Sequence, residues 1–260
     1  MRLPVLIAAC LVLLQLPARA ELVRACADQA EMPPFVYAER VAGQKSNRIT
    51  GASVDLLRRI GERNGWQIEV QLLPWARCVA QVANQQIQIA LNISASDGVS
   101  NALQTSDAYF TLHNVYYTSR RARPAGIRLA KLSDLQNYHV CGMGGYRFEA
   151  YGISTASVDR GTTIGYEQLI NKLHLGRCDL FISNRETMAG QYLINPKLRG
   201  MLVDGTLVQQ ALPGVPNQEL YFGVAADSPQ AADLLHKLNT GLERLEKNRT
   251  FETMLERYLQ

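Results

Sequence analysis

The sequence predicts an α/β protein built as a two-lobed clamp, each lobe a mostly parallel sheet flanked by helices, with two hinge strands between them. Three observations carry this. Stretches with two-residue alternation, led by Ile87, Ile89, Leu91 and Ile93, interleave with stretches whose apolar residues recur every three or four, which marks strands alternating with crossover helices. The cycle runs twice, from Leu22 to Ile93 and from Tyr138 to Ile182, and the charged, turn-rich run Arg120-Arg121-Ala122-Arg123-Pro124-Ala125-Gly126 separates the two. A last strand, Leu220 to Val224, and a helical tail then return to the first unit.

A leader precedes the fold. Arg2, an apolar run from Leu3 to Leu16 and Ala18-Arg19-Ala20 describe a secretory signal peptide over residues 1–20. Ile7-Ala8-Ala9-Cys10 fits a lipidation box superficially, but the apolar core runs on past Cys10. The expected division is 21–118 for the first part of lobe 1, 119–220 for lobe 2, and 221–260 for the return strand and C-terminal helices on lobe 1. With Arg2 and Arg19 gone, the formal charge falls from +4 to +2. No basic run interleaves with aromatics, which excludes nucleic acid as a partner. No later run is apolar enough to span a bilayer, so a soluble, exported protein without membrane insertion is expected.

Leu22 to Ala27 is a short strand that breaks at Pro33-Pro34, where Phe35 either lines a ligand or packs beneath its loop. Val41 to Thr50 is a hairpin or loose connection. Val54, Leu57 and Ile60 share one face of a helix capped by Gly65, and Trp66 to Leu72 alternates as the second strand. Trp75 and Arg77 open a helix carrying Val79 and Val82, and the strand Ile87 to Ile93 delivers Asn92, Ser94 and Ser96 to a polar loop. In open α/β sheets the carboxyl ends of strands are where ligands sit. Tyr109 lies just before the β-rich run Leu112 to Tyr117.

In the second cycle, Tyr138 to Gly142 is a strand, Met143-Gly144-Gly145-Tyr146 a glycine turn suited to an anionic group, and Arg147 to Tyr151 a short helix. Ile164 to Leu175 is an amphipathic helix, and the strand Cys178 to Ile182 ends in Ser183-Asn184-Arg185-Glu186. Ala231 to Gln260 is helical, with Leu234, Leu235, Leu238, Leu242 and Leu245 in one stripe. The four cysteines outside the leader allow three pairings. Chain order favours Cys26 with Cys78 and Cys141 with Cys178, each within one lobe. No Cys-x-x-Cys, metal-spaced histidine pair, Gly-x-Gly-x-x-Gly or Walker lysine occurs, so neither a metal nor a cofactor is expected.

Gly51-Ala52-Ser53-Val54-Asp55-Leu56-Leu57, Pro74-Trp75-Ala76-Arg77-Cys78, Ile87 to Ser94, Gly176-Arg177-Cys178-Asp179, and Leu238-Asn239 with the Phe251 to Tyr258 tail together resemble the family 3 extracellular solute-binding proteins. These are the periplasmic components of polar amino-acid type ABC importers. The resemblance implies a type II periplasmic-binding-protein-like clamp that closes on a ligand and delivers it to an inner-membrane ABC permease. It implies Phe35, Trp75, Asn92, Ser94 and Ser96 as first-lobe contacts and Gly144, Gly145 and Tyr146 as second-lobe contacts. Two family anchors are missing: Val99 stands where an arginine holds the ligand carboxylate, and Asn184 where an aspartate holds the ammonium. The ligand is therefore expected not to be a standard α-amino acid unless Arg77, Arg185 and Glu186 take over.

No nucleophile and base pair is recognisable; His113, His139, His174 and His236 are scattered. Two alternatives remain. One is an enzyme similar to periplasmic cyclohexadienyl dehydratases, with Glu186, Glu149 and Asp107 as acid-base candidates. The other is a free-standing sensor that docks on a membrane receptor.

Overall fold

The computed structural model describes residues 20–94, 101–144, 148–163, 165–248 and 250–259. The first half comprises β1 (Glu21–Asp28), β2 (Tyr37–Val41), β3 (Gln44–Thr50), α1 (Ala52–Asn64), β4 (Trp66–Leu73), α2 (Trp75–Ala83), β5 (Ile89–Ile93), β6 (Leu103–Thr105) and β7 (Phe110–Leu112). The second comprises β8 (Asn114–Ser119), β9 (Val140–Cys141), α3 (Tyr166–His174), β10 (Leu180–Asn184), α4 (Arg185–Gly190), α5 (Leu198–Val203) and β11 (Leu207–Ala211). β12 (Gln218–Ala225), α6 (Ala231–Glu246) and α7 (Thr250–Leu259) complete the chain.

Two larger sheets form among the described residues, ordered β4-β1-β5-β12-β6 with β7 beside β12, and β11-β8-β10-β9, and β2 and β3 pair as a separate two-stranded hairpin. β1 runs parallel to β4 and β5, whereas β12 is antiparallel to β5, β6 and β7. In the second sheet only β9 and β10 are parallel, and β8 is antiparallel to both β10 and β11. Parallel pairing thus holds for the crossover strands but does not dominate both sheets. Parallel neighbours need a crossover helix, and β8 and β12 enter their sheets directly from the other lobe.

The first core lies where α1, α6 and α7 cover one face of the first sheet, with Leu56, Leu57, Ile60, Leu238 and Leu242 buried. α2 covers the opposite face through Cys78 and Val82. Because those two residues are four apart they share one helical face, and Cys78 meets Cys26 of β1 in a disulfide. The second disulfide, Cys141 to Cys178, fixes β9 beside the entry to β10. Both pairings are those that chain order favours.

Phe35 is settled by α1. The first N–H groups of that helix donate to the Pro34 and Phe35 carbonyls, at 2.9 and 3.0 Å. Gly51 permits this approach, because a Cβ at its φ of +125° would stand 2.2 Å from the Phe35 oxygen. The Phe35 ring is thereby turned into the core, fully buried and 5.2 Å from the Phe110 ring.

The chain crosses between sheets at His113, which alone separates β7 from β8, and again over 212–217. The first crossing precedes the Arg120 to Gly126 run expected to mark it. Asn114 knits the two crossings together: its Nδ2 donates to the Pro216 carbonyl at 2.6 Å, and its carbonyl accepts from Leu212 N–H at 2.9 Å.

Candidate functional site: the cleft between the lobes

A cleft of about 720 Å³ separates the two cores. Its first-lobe wall carries Asp28, Glu31, Met32, Val36, Trp75, Leu91, Asn92 and Ser94. The second-lobe wall carries Met143, Phe148, Glu149, Tyr151, Tyr166, Ser183, Asn184 and Thr187, and Leu112, Gln218 and Leu220 close the crossing side. The polar groups sit largely where β1, β5 and β10 end, as the carboxyl-end rule requires.

On the first wall, Asn92 adopts φ 58°, a left-handed conformation that asparagine tolerates. Its amide orientation is fixed by logic rather than by choice. The Tyr109 hydroxyl accepts the Asn92 backbone N–H at 2.8 Å, so its own proton goes to Asn92 Oδ1, also at 2.8 Å. Ser53 Oγ donates to the same oxygen at 2.6 Å, which leaves the amide NH2 as the remaining donor. Burial pushes the Tyr109 phenol up, keeping it neutral for this task. Glu31 is an anion already answered. Burial would raise its carboxyl, but hydrogen bonds from Arg40, Lys45 and the Ala38 N–H prevail and hold it at about 2. Asp28 differs: Ala30 N–H donates to it at 3.0 Å, and among the described residues no cation pairs with it.

On the second wall, Tyr166 and Ser183 share a hydrogen bond of 2.9 Å. Asn184 Nδ2 donates to Asn114 Oδ1 at 2.8 Å, tying the cleft to the knot between the crossings. Glu149 accepts from Thr155 Oγ1 at 2.7 Å. Asp28 and Glu149 therefore bring one carboxylate from each lobe, and Trp75 and Tyr151 add aromatic surface.

Of the residues the sequence singled out, Trp75, Asn92, Ser94, Asn184 and the acid-base candidate Glu149 reach this wall. Phe35 and Tyr109 do not: the former is core, and the latter packs 4.3 Å from the Phe222 ring and positions Asn92. Arg77 is exposed on α2, about 200° around the helix from Trp75. Arg185 and Glu186 bind each other and His113 and, like Arg77, do not line the cleft wall. Gly144 is exposed and donates its N–H to the Thr163 carbonyl at 2.8 Å, off the cleft wall. Ser96, Gly145, Tyr146 and Val99 lie outside the described residues. Asp107, an acid-base candidate, is exposed elsewhere and fixed through its N–H to Asn239 at 2.9 Å. Sequence reasoning missed Asp28, Glu31, Tyr166, Ser183 and Thr187. Asp28 was within reach, because it ends β1 as Asn92 nearly ends β5.

No helix among the described residues is long and apolar enough to cross a membrane. The arginine-binding extracellular protein ArtP of Bacillus subtilis (strain 168) is 18% identical over 240 residues, covering 88% of this chain and 83% of its own. Two solved structures share the two-lobed architecture. The amino acid ABC transporter substrate-binding protein AbpA from Streptococcus pneumoniae Canada MDR_19A, bound to L-arginine, has 17% identity and a TM-score of 0.66, over 92% of this chain and 94% of that one. The periplasmic domain of BvgS from B. pertussis has 19% identity and a TM-score of 0.72, over 93% of this chain and 43% of that one. Identities this low speak for the fold alone. Membership rests on the family description that matches residues 24–260: the chain belongs to the bacterial extracellular solute-binding proteins, family 3.

Proposed function

We propose that this protein captures a small cationic organic solute in the periplasm, between its two lobes, and delivers it as a monomer to an inner-membrane ABC permease. The observation that carries the ligand class is Asp28, a carboxylate on the cleft wall with no cation partner among the described residues. Trp75 offers a π-face on the same wall, which favours an ammonium or guanidinium group. Among the described residues the wall holds no lysine, arginine or histidine to receive a carboxylate. Arginine, named for one relative and bound in one solved structure, shares the cationic end this wall favours. Its α-carboxylate and α-ammonium are the groups for which Val99 and Asn184 offer no charged partner. A cation lacking the α-amino acid head group is thus the preferred ligand.

Thermal-shift titrations with agmatine, arginine, a neutral amide and a dicarboxylate test this. Agmatine is expected to raise the melting temperature saturably, and Asp28→Asn to weaken it by about 2 kcal/mol, roughly thirtyfold in Kd. A response to the dicarboxylate alone would sink the cationic reading, and arginine binding without agmatine would sink the head-group argument. The protein acts as a binder without turnover; conversion of prephenate or arogenate by the purified protein would overturn that.

A further inference from the structure

We infer that the short segment from Asn184 to Tyr192 is the pivot on which the lobes move, with Glu186 as the residue that clamps the hinge. This rests on the reading of the cleft as a site that closes on its ligand. The segment belongs to the second lobe: it continues directly from β10, and Met188 is fully buried in the second core. Yet its other faces are spent on the first lobe and on the crossing.

His113, the single residue between the sheets, is held on three sides. Its backbone N–H donates to Glu186 Oε2 at 2.8 Å, its ring Nδ1 lies 2.7 Å from Glu186 Oε1, and its carbonyl accepts from Arg185 N–H at 2.9 Å. Rotation about the crossing residue must therefore break hydrogen bonds to α4. Glu186 is 3% exposed, and Arg185 compensates its charge at 2.7 Å. A buried carboxylate committed to a backbone N–H, an imidazole and a guanidinium costs most when any partner moves.

Two further contacts extend this clamp. Gly190 abuts the Pro33-Pro34 turn of the first lobe so closely that an added Cβ would stand 2.5 Å from Pro34 N. The Tyr192 hydroxyl donates to the Tyr258 carbonyl of α7 at 2.9 Å. The same segment opens on the cleft through Asn184 and Thr187, and Asn184 reaches Asn114 at the knot of the two crossings. Thr187 Oγ1 is buried and has no hydrogen-bond partner among the described residues. One rigid piece thus touches the ligand space on one side and sets the crossing geometry on the other.

The test needs no ligand. Nitroxides are attached through p-acetylphenylalanine at Val41 in the first lobe and Val203 in the second, which are 61% and 74% exposed, and interlobe distances are read by pulsed electron resonance. Glu186→Ala is expected to broaden the distance distribution, because His113 is freed. Gly190→Ala is expected to shift its mean by wedging the lobes at the proline turn. His113→Ala, which keeps the backbone bonds, is expected to broaden it less than Glu186→Ala. Melting curves establish that each variant is folded, and Glu186→Gln replaces Glu186→Ala should the latter not fold. Wild-type distributions in folded Glu186 and Gly190 variants would overturn the inference while leaving the binding reading intact. Absence of any thermal shift with cations would sink the binding reading without moving these distances.

Discussion

The ends of β5 and β10 read alike in the sequence, each a strand handing polar residues to a turn, but the structure spends them differently. At the β5 end, Asn92 is held within its own lobe by Ser53 and Tyr109. Nearby Glu31 is likewise held by its own lobe's Arg40 and Lys45. At the β10 end, Asn184 is tied to Asn114 and Glu186 to His113, both at the crossing. The first wall is a preset template, and the second is wired to the hinge. The cause lies in how the backbone leaves each strand. Asn92 turns by a left-handed backbone, whereas α4 begins at Arg185 and sends successive side chains about 100° apart, so residues adjacent in sequence part between cleft and hinge.

The comparison breaks first at Glu186. Glu186→Ala removes the acceptor of the His113 N–H and the partner of Arg185, and should cost about 3 kcal/mol in guanidinium unfolding. A loss below about 1 kcal/mol would mean that the hinge wiring carries little energy. Glu31 tests the template side through pH. Its folded carboxyl is held at about 2 against an ordinary 4.5, so its contribution is complete above pH 4.5 and disappears as pH falls toward 2. About 3 kcal/mol should be lost across that window. Glu31→Gln should flatten this part of the pH profile, and an unchanged acid dependence in the variant would assign the loss elsewhere.

Asn92 gives a smaller and sharper result. Asn92→Ala removes the Oδ1 acceptor of the Ser53 and Tyr109 hydroxyl protons and places alanine at φ 58°, together about 2 kcal/mol. Asn92→Gly keeps the backbone conformation free of strain, so the difference between the two variants in urea unfolding isolates the left-handed turn from the hydrogen bonds. Equal losses would show that the turn itself costs nothing.

These contrasts show where the sequence was legible. The short apolar run of β1, alternation in β4 and β5, the helical face of α1 and the order of the cysteines are local signals, and the structure agrees with them. β6 and β11 escaped notice because three residues, or a strand reading Leu-Val-Gln-Gln-Ala, carry no clear alternation. Phe35 depended on the approach of Gly51 from beyond a hairpin, which no local pattern encodes. The carboxyl-end rule found Asn92, Ser94 and Asn184, and would have found Asp28 had it been applied to β1. It misplaced Arg185 and Glu186 because the rule says where a strand ends, not which way the next helix turns.

The smallest expected effect decides whether α2 contributes a charge to the site. Trp75 lines the cleft and Cys78 and Val82 face the core, so the helical period leaves Arg77 to solvent. No ion pair or hydrogen bond engages the Arg77 side chain among the described residues. Arg77→Ala should therefore leave stability within about 0.5 kcal/mol of wild type and leave the agmatine thermal shift unchanged. Trp75→Ala, at the start of the same helix, should weaken that shift, because it removes the aromatic face from the cleft wall. If Arg77→Ala proved as damaging as Trp75→Ala, the exposed face of α2 would have to belong to the binding surface, and the division between a template wall and a hinge-wired wall would have to be redrawn around a cation that reaches the ligand from outside the cleft.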